Sequence, residues 1–153
     1  SMRLLHSTGG GNLSRNDVVD IAQTVTHITE NCKPYKGMAI RAVYSRPNKD
    51  IDHILGIIIA SRLLTIEESK GKTIKQLITL GVGTIKAARA VELYNGRYPA
   101  SKQAKDIGVS RERFSKGKSW IRLRVEARRQ LKRWVELAEI DIYCELNIRG
   151  WIT

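Results

Sequence analysis

Cysteine, proline and phenylalanine are scarce in this chain of 153 residues, which has two cysteines, three prolines and one phenylalanine. Cys32 and Cys144 have no C-x-x-C spacing, so neither a zinc site nor a disulfide framework is indicated. The three histidines, His6, His27 and His53, share no metal-ligand spacing. We therefore expect neither a metal nor another cofactor.

Long apolar runs are also missing from the chain. The strongest run, Ile54 to Ala60, is much shorter than the roughly 20 apolar residues that cross a bilayer, and it is better interpreted as part of a buried helix. The opening residues, Met2 to Ser7, lack an apolar core of signal-peptide length. Gly9 to Gly11 are not followed by the Lys-Ser/Thr pair of a phosphate-binding loop, and a linker is expected there. These features predict a cytoplasmic protein that does not bind a membrane.

Acidic residues are few relative to basic ones, with 15 Asp/Glu against 27 Lys/Arg and a net charge of +12. Residues 1 to 99 hold 14 basic and 8 acidic side chains, and residues 134 to 153 hold 1 and 4. Residues 100 to 133 hold 12 and 3, a net charge of +9. A solvated helix face is one explanation of such a charge run. A second explanation is binding to the phosphates of nucleic acid, and the concentration of basic residues in one segment favours this second explanation.

Apolar residues recur at helical spacing through most of the chain. This spacing predicts an amphipathic helix over about residues 15 to 31, ended by Pro34 and Gly37. A buried helix is expected to begin at Asp50 or Asp52 and to run to about residue 64.

The next helical pattern begins at Thr73. Gly81 and Gly83 are expected to break it, because glycine is unfavourable inside a helix. The pattern resumes from Thr84 to Tyr94, and Asn95-Gly96 follows as a C-terminal cap. Few stretches alternate with period two, so we predict an all-α fold.

A helix, a tight turn and a second helix are indicated in the most basic segment. Pro99 suits the start of a helix, because its missing amide hydrogen costs nothing there, and the first helix is expected over Ala100–Ile107. Gly108 stands where the chain must reverse, and glycine enters the left-handed conformation without a steric penalty. Ser110 can cap the next helix, which begins at Arg111. This pattern is typical of a helix-turn-helix, whose second helix reads double-stranded DNA.

Small or apolar side chains stand where this motif needs a miniature core, at Ala104, Ile107, Val109 and Phe114. With Phe114 facing the core, a continuous helix that turns about 100° per residue places Ile121 and Val125 on the same face. Gly117 is expected to interrupt a helix that would otherwise run from Arg111 to Ile142.

Ten polar side chains are candidates for contact with DNA. The candidates for base edges in the major groove are Arg111, Glu112, Ser115, Lys116 and Ser119. The candidates for phosphates are Lys102, Lys105, Arg113, Arg122 and Arg124. Glu112 can accept a hydrogen bond from cytosine, whereas Arg111 or Lys116 can donate to guanine.

The six residues Val109 to Phe114 resemble the start of the recognition helix in the sigma-factor domain that reads the minus 35 promoter element. The resemblance extends over roughly residues 84 to 133. The positions that match base-contacting residues of that family are Arg111, Glu112 and Lys116. Gln103 and Gly117 stand where the family has apolar residues.

The length, the opening from Leu4 to Gly11 and the basic C-terminal helical unit resemble the lambdoid-phage late-gene antitermination proteins called Q, in a class that lacks zinc-binding cysteines. The resemblance implies binding to a DNA element at a phage late promoter, loading onto a paused, sigma-containing RNA polymerase, and suppression of pausing and termination. The expected partners are double-stranded DNA and the RNA polymerase of the bacterial host. Contact with sigma or nascent RNA, and the number of protomers on the DNA, stay open.

Two divisions of the chain follow from these patterns. Residues 1–83 are expected to form a helical body, and residues 84–153 the DNA-binding unit with a long C-terminal helix.

The apolar stripe from Trp120 to Ala138 either packs into the chain's own core or docks on a partner protein. An ordinary helix-turn-helix regulator or sigma-like factor is the alternative function. A nucleic-acid enzyme would need clustered carboxylates or a nucleophile, whereas the acidic residues are scattered.

Overall fold

The computed structural model describes residues 34–150. Its helices are α1 (Pro34–Tyr44), α2 (Lys49–Leu63), α3 (Ile74–Tyr94), α4 (Ala100–Ile107), α5 (Arg111–Lys116) and α6 (Lys118–Ile148), with a 3-10 turn at Glu67–Ser69 between α2 and α3. No strand occurs within residues 34–150, and the predicted all-α fold is confirmed for that range. The helix expected over residues 15–31 lies outside the described residues.

The chain divides into two compact units, which differ from the expected division. One unit is Ala42–Lys132, and the other, among the described residues, combines residues 34–41 with residues 133–150. The boundary expected between residues 83 and 84 falls inside α3, which continues to Tyr94. A continuous helix holds the two sides of that boundary together through its own backbone hydrogen bonds.

The start of α2 lies slightly before its expected position. Asn48 is the N-cap, and its Oδ1 accepts hydrogen bonds from the backbone N–H groups of Asp50 at 3.0 Å and Ile51 at 3.2 Å. Asp50 and Asp52 lie in the first turn instead, where a carboxylate favours the helix dipole. Pro34, expected to end the preceding helix, is the first residue of α1, and a proline at this position removes no helical hydrogen bond.

Helix α3 begins and ends as its sequence predicts. Thr73 and Gln76 form a capping box, in which the Thr73 Oγ1 accepts from the Gln76 N–H at 3.1 Å and the Gln76 Oε1 accepts from the Thr73 N–H at 3.1 Å. At the other end, Asn95 adopts the left-handed conformation with φ of 51°. Its N–H donates to the Ala90 carbonyl and ends the helix.

Gly81 and Gly83 do not break α3, contrary to the expectation. A Cβ added at Gly81 would lie 2.9 Å from the carbonyl oxygen of Gly56 and 3.0 Å from its Cα. A Cβ added at Gly56 would lie 2.7 Å from Cγ2 of Val82. The backbones of α2 and α3 therefore meet directly, and Gly56 and Gly81 are needed for this close approach rather than for a turn.

A buried ion pair joins the same two helices. Arg89 of α3 donates from Nη1 to Oδ1 of Asp52 and from Nη2 to Oδ2, both at 2.9 Å. Its Nη1 also donates to the carbonyl of Ala42 at 3.2 Å. This two-pronged geometry satisfies both charges inside the protein, which makes the relative position of α2 and α3 specific.

Each of the two units has its own set of buried apolar side chains among the described residues. In the unit Ala42–Lys132, the larger buried ones are Leu55, Ile59, Leu63, Leu77, Leu80, Ile85, Phe114, Trp120, Leu123 and Leu131. In the other unit, the buried side chains are Ala39, Ile40, Trp134, Val135, Ala138, Ile142 and Leu146. Most of the stripe predicted from Trp120 to Ala138 is thus buried within the chain itself, although Ile121 is 40% exposed.

Replacement of Gly81 by alanine should weaken the fold, because the new methyl group meets the backbone of Gly56. We expect a loss of about 1–3 kcal/mol in the free energy of unfolding, measured by urea denaturation. The control is Gly83→Ala in the same helix, where the nearest atom to an added Cβ is the Oε1 of Gln103 at 3.2 Å. This side chain can move, so the control should lose less. Equal stabilities for the two variants would contradict the role assigned to Gly81.

Candidate nucleic-acid interface

The turn between α4 and α5 has the geometry that its sequence predicts. Gly108 has φ of 87°, in the left-handed region, and its N–H donates to the carbonyl of Ala104 at 2.9 Å. The N–H of Val109 donates to the same carbonyl at 3.1 Å. Ser110 then caps α5, because its Oγ accepts from the N–H of Arg113 at 3.1 Å. The predicted first helix, the tight turn at Gly108 and the second helix from Arg111 are therefore present.

Below this turn lies the miniature core that the motif requires. Ala104, Ile107 and Phe114 are buried, as predicted, and Val109 is half-buried. The ring of Phe114 lies 5.9 Å from that of Trp120, tilted by 50°. This aromatic contact joins α5 to the first turn of α6.

Helix α5, the predicted recognition helix, has only six residues, because it ends at Lys116 and α6 begins at Lys118. Gly117, where a break was expected, has φ of −65° and ψ of 126°, and its N–H donates to the carbonyl of Arg113 at 2.9 Å. A Cβ added at Gly117 would collide with that same carbonyl oxygen. Glycine is thus required at the junction for steric reasons.

The break also changes which residues share a face with Phe114. Ile121 and Val125, expected beside Phe114 on one continuous helix, are exposed and half-buried respectively. Trp120 and Leu123 are buried instead. The helical-wheel prediction is wrong beyond Gly117, because the backbone there leaves the helical conformation and the phase of the helix starts again.

Four of the five residues predicted to read bases lie on α5. Arg111, Glu112 and Lys116 are exposed, and Ser115 is half-buried. Glu112 is in the first turn, where its carboxylate also favours the helix dipole. The structure therefore brings together the donors and the acceptor that were assigned to base edges.

Ser119, the fifth residue, is placed in the first turn of α6 rather than on the recognition helix. It is half-buried, and Lys72 donates from Nζ to its Oγ at 2.7 Å. The same ammonium group lies 5.3 Å from the ring centroid of Trp120. Sequence reasoning missed Lys72, because 47 residues separate it from Ser119.

The residues predicted to contact phosphates fall into two groups. Lys102, Lys105, Arg113 and Arg122 are exposed. Arg122 also forms an ion pair with Glu126 at 3.0 Å. Phosphate contact by these four side chains stays a prediction.

Arg124 occupies a different environment from the other candidates. Its Nη1 donates to the carbonyl of Phe114 at 3.4 Å, and its guanidinium carbon lies 4.5 Å from the centroid of the Phe114 ring. Burial, and then the positive charge of Arg128, lower the pKa of Arg124. Arg124 therefore supports α5 from the protein side, in a position that the sequence pattern did not indicate.

Comparisons with known proteins give no further information about this site. No protein-family model, no curated protein and no solved structure matches the chain. Between residues 34 and 150, no group of three or more His, Cys, Asp or Glu side chains is arranged to hold a metal ion. No helix in that range is long and apolar enough to cross a membrane.

Replacement of Gly117 by alanine should displace the junction between α5 and α6. We expect the free energy of unfolding to fall by about 1–3 kcal/mol, because the methyl group and the carbonyl of Arg113 cannot occupy the same space. Thermal unfolding followed by circular dichroism measures this change. Gly96→Ala is the control, since a Cβ there would be 3.8 Å from its nearest neighbour, and it should change stability by less than about 0.5 kcal/mol. A fully stable Gly117→Ala protein would exclude the steric requirement.

Proposed function

We propose that the chain is a transcription antitermination factor that binds a DNA element at a phage late promoter, loads onto a paused RNA polymerase and suppresses pausing and termination. One observation carries the DNA-binding part. Two short helices joined by a tight turn leave Arg111, Glu112 and Lys116 exposed on α5, within the most basic segment of the chain.

The proposed division of labour follows from the chemistry of these side chains. Arg111 and Lys116 are donors suited to the O6 and N7 atoms of guanine, and Glu112 is an acceptor suited to the amino group of cytosine. Lys102, on α4, is suited to phosphate contact, because the first helix of such a motif crosses the DNA backbone. Together these groups bind the duplex and select a sequence.

The polymerase-directed part of the proposal is supported by the resemblance to the Q antitermination proteins. The helix-turn-helix alone is equally consistent with a second candidate, an ordinary DNA-binding regulator or a sigma-like factor that acts only at initiation. The two candidates share the DNA interface and differ in whether the protein stays with the elongating enzyme.

Glu112→Ala should alter base preference more than total affinity. The variant should lose its preference for cytosine at one position by about 1–3 kcal/mol, because no other group replaces the lost acceptor. Selection from a randomised duplex library at fixed salt, followed by titration of the selected sites, measures this preference.

The control for this variant is Glu92→Ala, which removes the same charge from an exposed position on α3. It should leave the preference unchanged. A uniform change in affinity across all duplexes for Glu112→Ala, equal to that of Glu92→Ala, would contradict base reading by Glu112.

Terminator read-through distinguishes the two candidate functions. On a template that joins the selected DNA site to a promoter and a downstream terminator, the protein should increase the fraction of full-length transcript made by purified bacterial RNA polymerase with sigma. The increase should vanish when the DNA site is scrambled, because loading depends on that site. Stimulation of initiation with no change in read-through would favour the ordinary regulator.

A further inference from the structure

A partly open cavity of about 220 Å³ lies among α3, α4 and α6. Its polar lining comes from Thr84, Tyr98, Gln103, Arg124 and Arg128. All of these residues belong to the unit Ala42–Lys132. Neither the base-reading nor the phosphate-contacting residues explain this cavity, apart from Arg124.

Two arginines, Arg124 and Arg128, line the cavity. Arg124 is held by the carbonyl and ring of Phe114, whereas Arg128 is exposed. They are close enough for the charge of Arg128 to lower the pKa of Arg124, in addition to the effect of burial. Two like charges that line one partly open cavity are stabilised by an anion bound there, and guanidinium groups match the geometry of phosphate oxygens.

Two lysine ammonium groups lie near the ring of Tyr98, which lines the cavity. The Nζ of Lys86 lies 5.5 Å from the centroid of the Tyr98 ring, and the Nζ of Lys102 lies 5.2 Å from it. The Tyr98 hydroxyl donates to Asp106, and burial together with this hydrogen bond raises the pKa of Tyr98 to about 12. Tyr98 therefore keeps its proton at neutral pH and adds no negative charge to the cavity that it lines.

The first turn of α4 contributes a partial positive charge as well. Pro99 is the N-cap of this eight-residue helix and provides no side-chain acceptor for its amide groups. Ala100, the first residue of α4, lines the cavity. The positive end of the helix dipole is thus at the cavity, where it favours an anion.

We propose that this cavity binds one phosphate group and that the phosphate belongs to the DNA backbone beside the recognition helix. The identity of the phosphate rests on the proposed function, whereas the phosphate site itself does not. Arg124 provides the link, because it lines the cavity and also contacts Phe114 of α5. A phosphate held there would fix α4 against the DNA backbone, the position of the first helix in this motif.

The phosphate site is tested first without DNA. Inorganic phosphate is titrated into the full-length, 15N-labelled protein at constant ionic strength, with chloride as the replaced anion. The expected result is a saturable shift of the Gln103 side-chain amide and of the backbone amides of Ala100 and Ser101. Arg128→Gln should weaken this binding about tenfold, because it removes one charged hydrogen-bond donor.

Two further variants make the result specific. Lys75→Gln removes the same charge from an exposed position in the first turn of α3, and it should bind phosphate as the parent protein does. Arg128→Lys keeps the charge but loses the paired N–H donors of the guanidinium group. Its affinity for phosphate should lie between those of the parent protein and Arg128→Gln. The unaffected amide signals of each variant report that it is folded. Absence of a saturable shift, or equal binding by Arg128→Gln and Lys75→Gln, would overturn the phosphate site.

A DNA titration then identifies the source of the phosphate. Arg128→Gln and Lys75→Gln have the same net charge, so their affinities for one duplex at fixed salt differ only by the position of the lost charge. A larger loss for Arg128→Gln supports a backbone phosphate. Equal losses, with phosphate binding retained by the parent protein, would reject the backbone and assign the cavity to a free phosphate-bearing ligand. If the protein bound no DNA at all, the phosphate titration would still decide whether the site exists.

Discussion

The direct backbone contact between α2 and α3 is the constraint on which the rest of the unit Ala42–Lys132 depends. Gly56 and Gly81 allow the two helices to approach without an intervening side chain. The approach places Arg89 of α3 against Asp52 of α2 inside the protein. Two positions beyond Gly81, the missing side chain of Gly83 leaves room for Gln103 of α4. Helix α3 thus contacts α2 at Gly81 and α4 at Gly83.

Helix α5 is too short to be stable alone, and contacts with neighbouring residues hold it in place. An isolated helix of six residues would not persist in water, since even helices of about 12 residues are marginal. Phe114 anchors it by packing against Trp120 on one side and accepting Arg124 over its ring on the other. The exposed side chains of Arg111 and Lys116 take no part in this anchoring.

The sequence predicted the turn at Gly108–Ser110 well, because its determinants are local: a left-handed glycine, a serine cap and apolar residues at short spacing. It failed where the cause lies far along the chain. The local pattern indicated that Gly81 and Gly83 break α3. It could not show that Gly81 lies against α2 and Gly83 against Gln103 of α4. The position of Ser119 depends on Lys72, and the cavity at Tyr98 forms only when three separate helices pack together.

On the proposed interface, Gly117 would limit how much DNA sequence one protomer can distinguish, because α5 ends at Lys116. Six residues that rise about 1.5 Å each give α5 a length of about 9 Å, which corresponds to about three base pairs at roughly 3.4 Å each. A three-base-pair word recurs by chance roughly every 64 positions, whereas a genome offers about 10⁶ or more competing sites. On the proposed interface, the information that one recognition helix extracts is far below what is needed to find a single promoter. On the proposed function, the remainder would come from a second protomer on neighbouring DNA or from a polymerase that is already stalled there.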